Sequence, residues 1–197
     1  MSIPAVQAAL DRAFFAARTF NKFTDQPVTD ATIHALYDLL KWGPTAMNCQ
    51  PARYVFVRSA EAKARLKPSL APGNADKTTA APLTVIVATD PSYFDRLPTM
   101  FPAYPAARDM FTSNPVMAGE TGFRNGTLQG AYLIIAARLL GLDCGPMSGF
   151  DADAVNATFF AKSGWRSNFL INLGYGDAGG NYPRGPRLSF DEAARIE

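Results

Sequence analysis

The chain of 197 residues has only one histidine and two cysteines. Cys49 and Cys144 form no C-x-x-C pair, and the lone histidine leaves no Cys/His set with zinc-ligand spacing. A structural zinc site is therefore excluded. His34 lies one helical turn from Asp38, which is typical of a surface pair, and Ser148 in GPMSGF departs from the G-x-S-x-G pattern, so hydrolysis has no support either.

The sequence also lacks a run of Lys or Arg and a long apolar segment. The net charge is +2, which argues against a nucleic-acid partner. The most apolar stretch, residues 130–141, is shorter than the about 20 residues that cross a bilayer, and it carries Arg138. No secretory pattern begins the sequence, so we expect a cytoplasmic protein without a membrane partner.

What is present suits one globular domain over residues 1–197, because 48% of the residues are hydrophobic and no flexible linker interrupts them. Apolar spacing predicts a first helix ending near Asn21, a second capped by Thr29 or Asp30, and a long one over 116–140. Further helices are predicted at 59–66 and from Asp151 to Phe160, and strands at 53–59, 83–90 and 167–176. Because helices and strands do not alternate regularly, the pattern indicates an α+β fold with a mixed sheet.

The string FLINLGYGDAGG places Gly174, Gly176 and Gly179 at the G-x-G-x-x-G spacing of a dinucleotide-binding turn. That motif works only where the last glycine opens a helix whose N-terminus meets a pyrophosphate. Pro183 and Pro186 prevent an uninterrupted helix of three turns from starting there. We therefore reject a Rossmann dehydrogenase.

Three short connections carry polar groups beside apolar elements: GPTAMNCQP at 43–51, PGNADK at 72–77 and CGPMSGF at 144–150. Each alone reads as an ordinary turn. Together they indicate a flat ligand, polar at its edges, that is bound without charged catalytic side chains.

These connections belong to longer strings in a fixed order: ARTFNKF (17–23), KWGPTAMNCQPARYVFV (41–57), GNADK (73–77), LGLDCGPMSGFD (140–151) and PRLSFDEA (186–193). In this combination the chain resembles the nitroreductase-like flavoprotein family over essentially its whole length. Through KWGPT, GPMSGFD and INLGYGD it is most similar to the branch that reduces malonic semialdehyde in pyrimidine degradation.

The resemblance implies a three-layer α/β/α sandwich, a homodimer with FMN at the interface, and an extended tail from about residue 177 to 197. It also implies that NADPH or NADH donates a hydride, which flavin N5 passes to a small aldehyde or another electron acceptor. On this reading no side chain is itself catalytic and no metal takes part. By position, the cofactor-binding residues would be Arg18, Thr19, Pro44, Thr45, Ala46, Asn48, Asn74, Lys77, Pro146, Met147, Ser148, Gly149 and Arg187.

Their implied roles differ. Arg18, Thr19 and Arg187 would hold the phosphate, for which guanidinium groups are suited. Asn74 and Lys77 would meet the pyrimidine edge of the ring, and residues 146–149 would lie against it with a backbone N–H near N5. Pro44, Thr45, Ala46 and Asn48 would come from the partner subunit.

One departure from the family pattern concerns the phosphate. Many members begin the first string with two successive basic residues and place another three positions later, where this chain has Ala17 and Asn21. Lys22 or Arg184 are the candidate substitutes, and we expect weaker FMN retention than in relatives.

The leading functional prediction is reduction of malonic semialdehyde to 3-hydroxypropionate, with Arg108 or Arg124 anchoring the substrate carboxylate. The alternatives are a reductase of nitroaromatics, quinones or enones, and a flavin-binding protein without turnover.

Overall fold

The computed structural model describes residues 3–197, so the first two residues of the predicted domain lie outside it. The helices are α1 (Ile3–Leu10), α2 (Asp30–Leu40), α3 (Ala60–Leu66), α4 (Pro72–Ala80), α5 (Leu97–Met100), α6 (Ala107–Thr112), α7 (Pro115–Leu139), α8 (Ala152–Phe159) and α9 (Phe190–Ala193). The strands are β1 (Ala52–Val57), β2 (Leu83–Thr89), β3 (Asp143–Met147) and β4 (Arg166–Gly174).

The four strands form one sheet in the order β1-β2-β4-β3. Each pairing of these strands is antiparallel, with Tyr54 opposite Val87 and Cys144 opposite Leu173. A parallel bridge joins Thr19 to Cys144 on the outer side of β3. This bridge brings the N-terminal segment to the sheet edge and gives that edge its mixed character.

Helices cover both faces of the sheet and create two cores. On one face α2 and α7 pack through Leu36, Leu40 and Leu133 against alternate residues of β2 and β4. On the other face α3 and α8 contribute Leu66 and Val155 to a second cluster. This is the α+β, three-layer arrangement that the sequence predicts.

Most predicted elements are present, with small changes at their ends. Thr29 caps α2, because its side chain accepts a hydrogen bond from the Thr32 N–H (3.1 Å). The first helix ends earlier than predicted: the α-helical part stops at Leu10, and a π-helical turn continues to Phe15. The last strand ends at Gly174, and residues 178–180 form one 3-10 turn rather than a helix, so the rejection of the dinucleotide motif is confirmed.

Two polar connections are regular structure instead of turns. PGNADK forms the first two turns of α4, with Pro72 in the first helical turn, where its missing N–H costs nothing. The residues DCGPM form β3, which tolerates Pro146 because β3 is an edge strand. Gly145 is needed there because a Cβ would lie 2.5 Å from the Phe20 carbonyl oxygen.

The glycines of α7 differ in what they face. A Cβ on Gly126 would lie 2.7 Å from Thr89 Oγ1, and one on Gly130 would lie 2.3 Å from the Phe169 ring. At Gly119 no heavy atom of the described chain lies within 4 Å of the same position. The expected close approach of helix to sheet therefore holds from Gly122 onward and not at the start of α7. Among the described helices, α7 included, none is long and apolar enough to span a membrane.

We predict opposite stability effects for Gly119→Ala and Gly130→Ala. At Gly119 the methyl group meets open space, so higher helix propensity should raise the free energy of unfolding by about 0.5–1 kcal/mol. At Gly130 the methyl group overlaps the Phe169 ring, and this overpacking should lower the free energy of unfolding by about 1–3 kcal/mol. Urea unfolding of both variants measures this, and equal effects would contradict the packing described.

Candidate functional site

An arginine-lined pocket opens where the N-terminal segment meets the C-terminal tail. Its volume is about 810 Å3, and its lining includes Arg18, Arg138, Arg184 and Arg187. Among the described residues, no Asp or Glu lines it. Because its charged side chains are all positive, the electrostatic field of this pocket favours an anion. We call it the arginine pocket.

The four guanidinium groups are held by backbone carbonyl groups rather than by carboxylates. Arg18 donates to the Tyr182 carbonyl, Arg184 donates to the Phe15 carbonyl (2.8 Å), and Arg138 donates to the Ala13 carbonyl (2.9 Å). Arg138 Nε is buried and has no hydrogen-bond partner within residues 3–197. The positive charge is thus fixed in position and left without a counter-ion.

A second polar cluster lies at the other end of β3. Asn74 Nδ2 donates to the Gly149 carbonyl (2.8 Å), and the Ala71 N–H donates to the same oxygen (3.0 Å). Lys77, one turn along α4, lies with Nζ 3.4 Å from Asn21 Oδ1. Asn21 also lines the arginine pocket. The two regions are therefore contiguous.

A buried polar chain fixes α4 against the sheet. Thr84 Oγ1 donates to Asn172 Oδ1 (2.8 Å), and Asn172 Nδ2 donates to Thr78 Oγ1 (3.2 Å). Thr78 in turn lies 3.4 Å from the sulfur of Met147. All three polar side chains are at most 2% exposed. Because each buried polar group has a partner, this chain holds α4, and with it Asn74 and Lys77, at a defined place beside β3.

The connection between α2 and β1 has an unusual backbone. Among the described residues, the non-glycine positions with positive φ are Met47 (51°), Asn48 (50°) and Gln50 (39°). The left-handed region costs such residues energy, so the surrounding structure must hold them there. The Gln50 N–H donates to Thr45 Oγ1 (3.2 Å), and Asn48 Nδ2 donates to the Met100 carbonyl (2.9 Å).

Amide side chains of α7 clamp this connection. The Ala46 N–H donates to Asn125 Oδ1 (2.8 Å), and the Ala52 N–H donates to Gln129 Oε1 (2.9 Å). Tyr132 completes the face by donating to the Pro44 carbonyl (2.9 Å). These three positions follow the i, i+4, i+7 spacing of one helical face. Asn125 and Gln129 are at most 4% exposed, so their amide groups depend on partners within the protein.

The predicted cofactor residues thus fall into three groups within one chain. Arg18, Thr19 and Arg187 line the arginine pocket, while Asn74, Lys77 and residues 146–149 meet at the end of β3. Residues 44–48 are not part of the described lining of the arginine pocket. They lie against α7, and Pro44, Ala46 and Asn48 are exposed.

Sequence reasoning missed two features of the site. It assigned no role to Arg138, which lines the arginine pocket from the last turn of α7, and it did not single out Asn125 and Gln129. The available signal was their i, i+4 spacing on the same helical face as Gly126, Gly130 and Leu133. Of the two candidate substitutes for the missing basic residues, Arg184 lines the pocket, and Lys22 is outside its described lining.

Other candidate residues are settled by their surroundings. Burial raises the pKa of Cys49 to about 11, so its thiol stays protonated at neutral pH and is not a nucleophile. His34 is exposed, and Asp38 pairs with Lys41 (2.6 Å). Arg108 is bound to Asp95 (3.0 Å).

Known proteins resemble this chain in sequence and in fold. The model described as "Nitroreductase family" matches residues 16–175. A Rhodopseudomonas palustris protein with the provisional name NADH dehydrogenase/NAD(P)H nitroreductase is 60% identical over 190 residues, covering 95% of each chain.

Two solved structures share the fold. One, provisionally named a nitroreductase, comes from Exiguobacterium sibiricum and was solved in complex with FMN; it has a TM-score of 0.83 at 18% identity and covers 100% of this chain and 98% of its own. The other is an enone reductase of gut-bacterial fatty acid saturation, with a TM-score of 0.81 at 17% identity, covering 95% and 97%.

We predict that Asn125→Ala destabilises the protein by about 1–3 kcal/mol, because it removes the buried amide that accepts the hydrogen bond of the Ala46 N–H. Urea unfolding measures the loss, with Gln26→Ala, at an exposed side chain, as the control. A loss no larger than in the control would show that the clamp does not hold the connection.

Proposed function

The chain belongs to the nitroreductase family, and we propose that it is an FMN-dependent oxidoreductase that takes a hydride from NADPH or NADH. The observation that carries the proposal is the arginine pocket, in which four guanidinium groups meet without a carboxylate. A ribityl phosphate supplies the dianion that such a pocket favours.

The residues present fit FMN. Arg18, Arg184 and Arg187 would hold the phosphate, and Arg138 adds a fourth guanidinium group to the lining. Thr19 lies beside them, and its bridge to β3 leads toward the polar cluster at residues 146–149.

The flavin supplies the redox chemistry when bound, and the chain supplies position and charge. Lys77 would place a cation at the pyrimidine edge, where negative charge is stabilised, while Asn74 holds that edge through its amide. Pro146, Met147, Ser148 and Gly149 would flank the ring and exclude water from one side of it.

We extend the proposal to a homodimer whose partner contributes residues 44–48. Those residues present exposed groups away from the arginine pocket. Large apolar side chains just before this connection are also exposed: Trp42 at 81% and Leu39 at 48%. A second copy covering these side chains would bury apolar surface. The strained backbone at Met47 and Asn48 would then already have the conformation in which it meets the partner's flavin.

Malonic semialdehyde, reduced to 3-hydroxypropionate in pyrimidine catabolism, is the acceptor we propose. Its carboxylate needs a cation. Arg108 already has Asp95 as its partner, whereas Arg124, on the exposed face of α7, forms no ion pair within the described chain. We therefore favour Arg124 as the anchor. The 60% identical relative's name and the enone reductase of similar fold favour a broader acceptor range as the second candidate.

We predict that the arginine pocket makes the protein prefer FMN over riboflavin, and that Arg187→Gln reduces this preference roughly tenfold to a hundredfold, since a charge-assisted hydrogen bond contributes about 1.5–3 kcal/mol. Fluorescence titration with each flavin gives the two dissociation constants, and their ratio measures the preference. Arg195→Gln, at an exposed residue paired with Glu197, is the matched control.

Equal affinities for FMN and riboflavin in the unaltered protein would contradict the phosphate assignment. Bleaching of the bound flavin by NADPH without oxygen supports the enzyme. Bound flavin that neither NADPH nor NADH reduces would instead identify a flavin-binding protein without turnover.

We predict that Arg124→Gln raises the KM for malonic semialdehyde roughly tenfold or more and leaves the KM for a neutral quinone unchanged, because only the former carries a carboxylate. Steady-state kinetics with both acceptors measure the difference, and Arg108→Gln, whose guanidinium is already paired, should have the smaller effect. An equal rise for the quinone would count against the anchor.

A further inference from the structure

A second pocket lies between α6, the first half of α7 and the chain after β2. Its volume is about 410 Å3, and its lining includes Tyr93, Phe94, Phe111, Phe123 and Arg166. We call it the aromatic pocket. It shares no lining residue with the predicted flavin-binding set. Its volume is within the range of about 300–1,000 Å3 that small-molecule sites occupy.

The pocket exists because helix α7 presents glycine to it. Gly119 lines the pocket, and a Cβ built there meets no described atom within 4 Å. Gly122 also lines it, next to the Tyr93 ring at 3.1 Å from the Cβ position. A side chain at position 119 would therefore project into space that the fold leaves open.

A β-bulge brings a cation to this pocket. Val87 pairs with Phe169 and Ala88 with Ser167, so Asn168 is an extra residue in β4. Phe169 faces α7, where its ring lies against Gly130. In a regular strand, side chains alternate between faces, so Arg166, three residues from Phe169, would lie on the face opposite α7. The extra residue shifts this alternation by one position and places Arg166 on the same face as Phe169.

Arg166 is exposed, and its guanidinium has no counter-ion among the described residues. Its cross-strand neighbour is Thr89, which contacts α7 at Gly126 and lines the same pocket. Arg166 forms no ion pair with any residue from 3 to 197. Among the described residues, no Asp or Glu lines the pocket. One unpaired cation at an apolar cavity is complementary to one anionic group on an apolar body.

We propose that the aromatic pocket binds a small aromatic monocarboxylate, with its ring among Phe94, Phe111 and Phe123 and its carboxylate on Arg166. Four aromatic side chains in the wall favour an aromatic ring over an alkyl chain, because rings gain from edge-to-face and offset contacts. The proposal does not depend on flavin chemistry, since no part of the arginine pocket takes part in it.

The test is calorimetric titration of the full-length protein with 1-naphthoate and with its neutral counterpart 1-naphthylmethanol. Both titrations are run with saturating FMN and repeated without it, so that the result is separable from the outcome at the flavin site. We expect one naphthoate per chain in both conditions, bound more tightly than the alcohol.

Two variants locate the site. Gly119→Leu, which fills the pocket, should abolish binding of both probes, with Gly119→Ala as the matched control that retains binding. Arg166→Gln should weaken naphthoate about tenfold and leave the alcohol unchanged, while Arg195→Gln changes neither. Thermal melts verify that each variant is folded, and the Arg166→Gln comparison stands even where Gly119→Leu fails to fold.

Three results would overturn the proposal: no binding of naphthoate to the unaltered protein, unchanged binding in a folded Gly119→Leu variant, or equal weakening of acid and alcohol by Arg166→Gln.

Discussion

The close approach of α7 to the sheet is the constraint on which the other features depend. Gly126 and Gly130 allow the helix to lie where any larger residue would overlap Thr89 or Phe169. That approach excludes water from the helix face, so the amides of Asn125 and Gln129 must find partners in the protein. They find them in the N–H groups of the connection before β1. The packing of α7 against the sheet, which forms one of the two cores, thus also fixes the strained backbone at residues 47–50.

The sequence alone was enough for the elements with strong periodicity. Apolar spacing and side-chain caps located α2, α7 and α8, and apolar β-branched runs located β1, β2 and β4. It failed at β3 and α4, because Gly145, Pro146, Pro72 and Gly73 are residues typical of turns. Tertiary contacts decide those segments: β3 is an edge strand, and α4 is held by buried hydrogen bonds from Thr78. The arginine pocket could be foreseen only in part, since Arg138 reaches it from a helix distant in sequence.

The electrostatics of the arginine pocket follow from how its side chains are held. Carbonyl oxygens accept hydrogen bonds without carrying a full charge, so they orient the guanidinium groups while leaving their positive charge uncompensated. Carboxylates in the same places would have neutralised the site. Arg18 and Arg184 also tie the tail to the N-terminal segment through these bonds. An anion bound there would therefore meet donors whose orientation is already fixed, which reduces the entropy lost on binding.

Family membership fixes the acceptor less closely than it fixes the fold, for a physical reason. In a flavoenzyme the cofactor carries the reactive atom, so the chain needs no catalytic side chain whose identity would specify the substrate. Selection among acceptors then depends on shape and charge at the surface around the ring. If Arg124 is the carboxylate anchor proposed above, that surface includes the exposed face of α7, which a second copy would cover in the proposed dimer. If residues 44–48 complete the cofactor site from the partner, Arg124 would reach the acceptor as part of the same interface, and specificity would be a property of the dimer rather than of either chain.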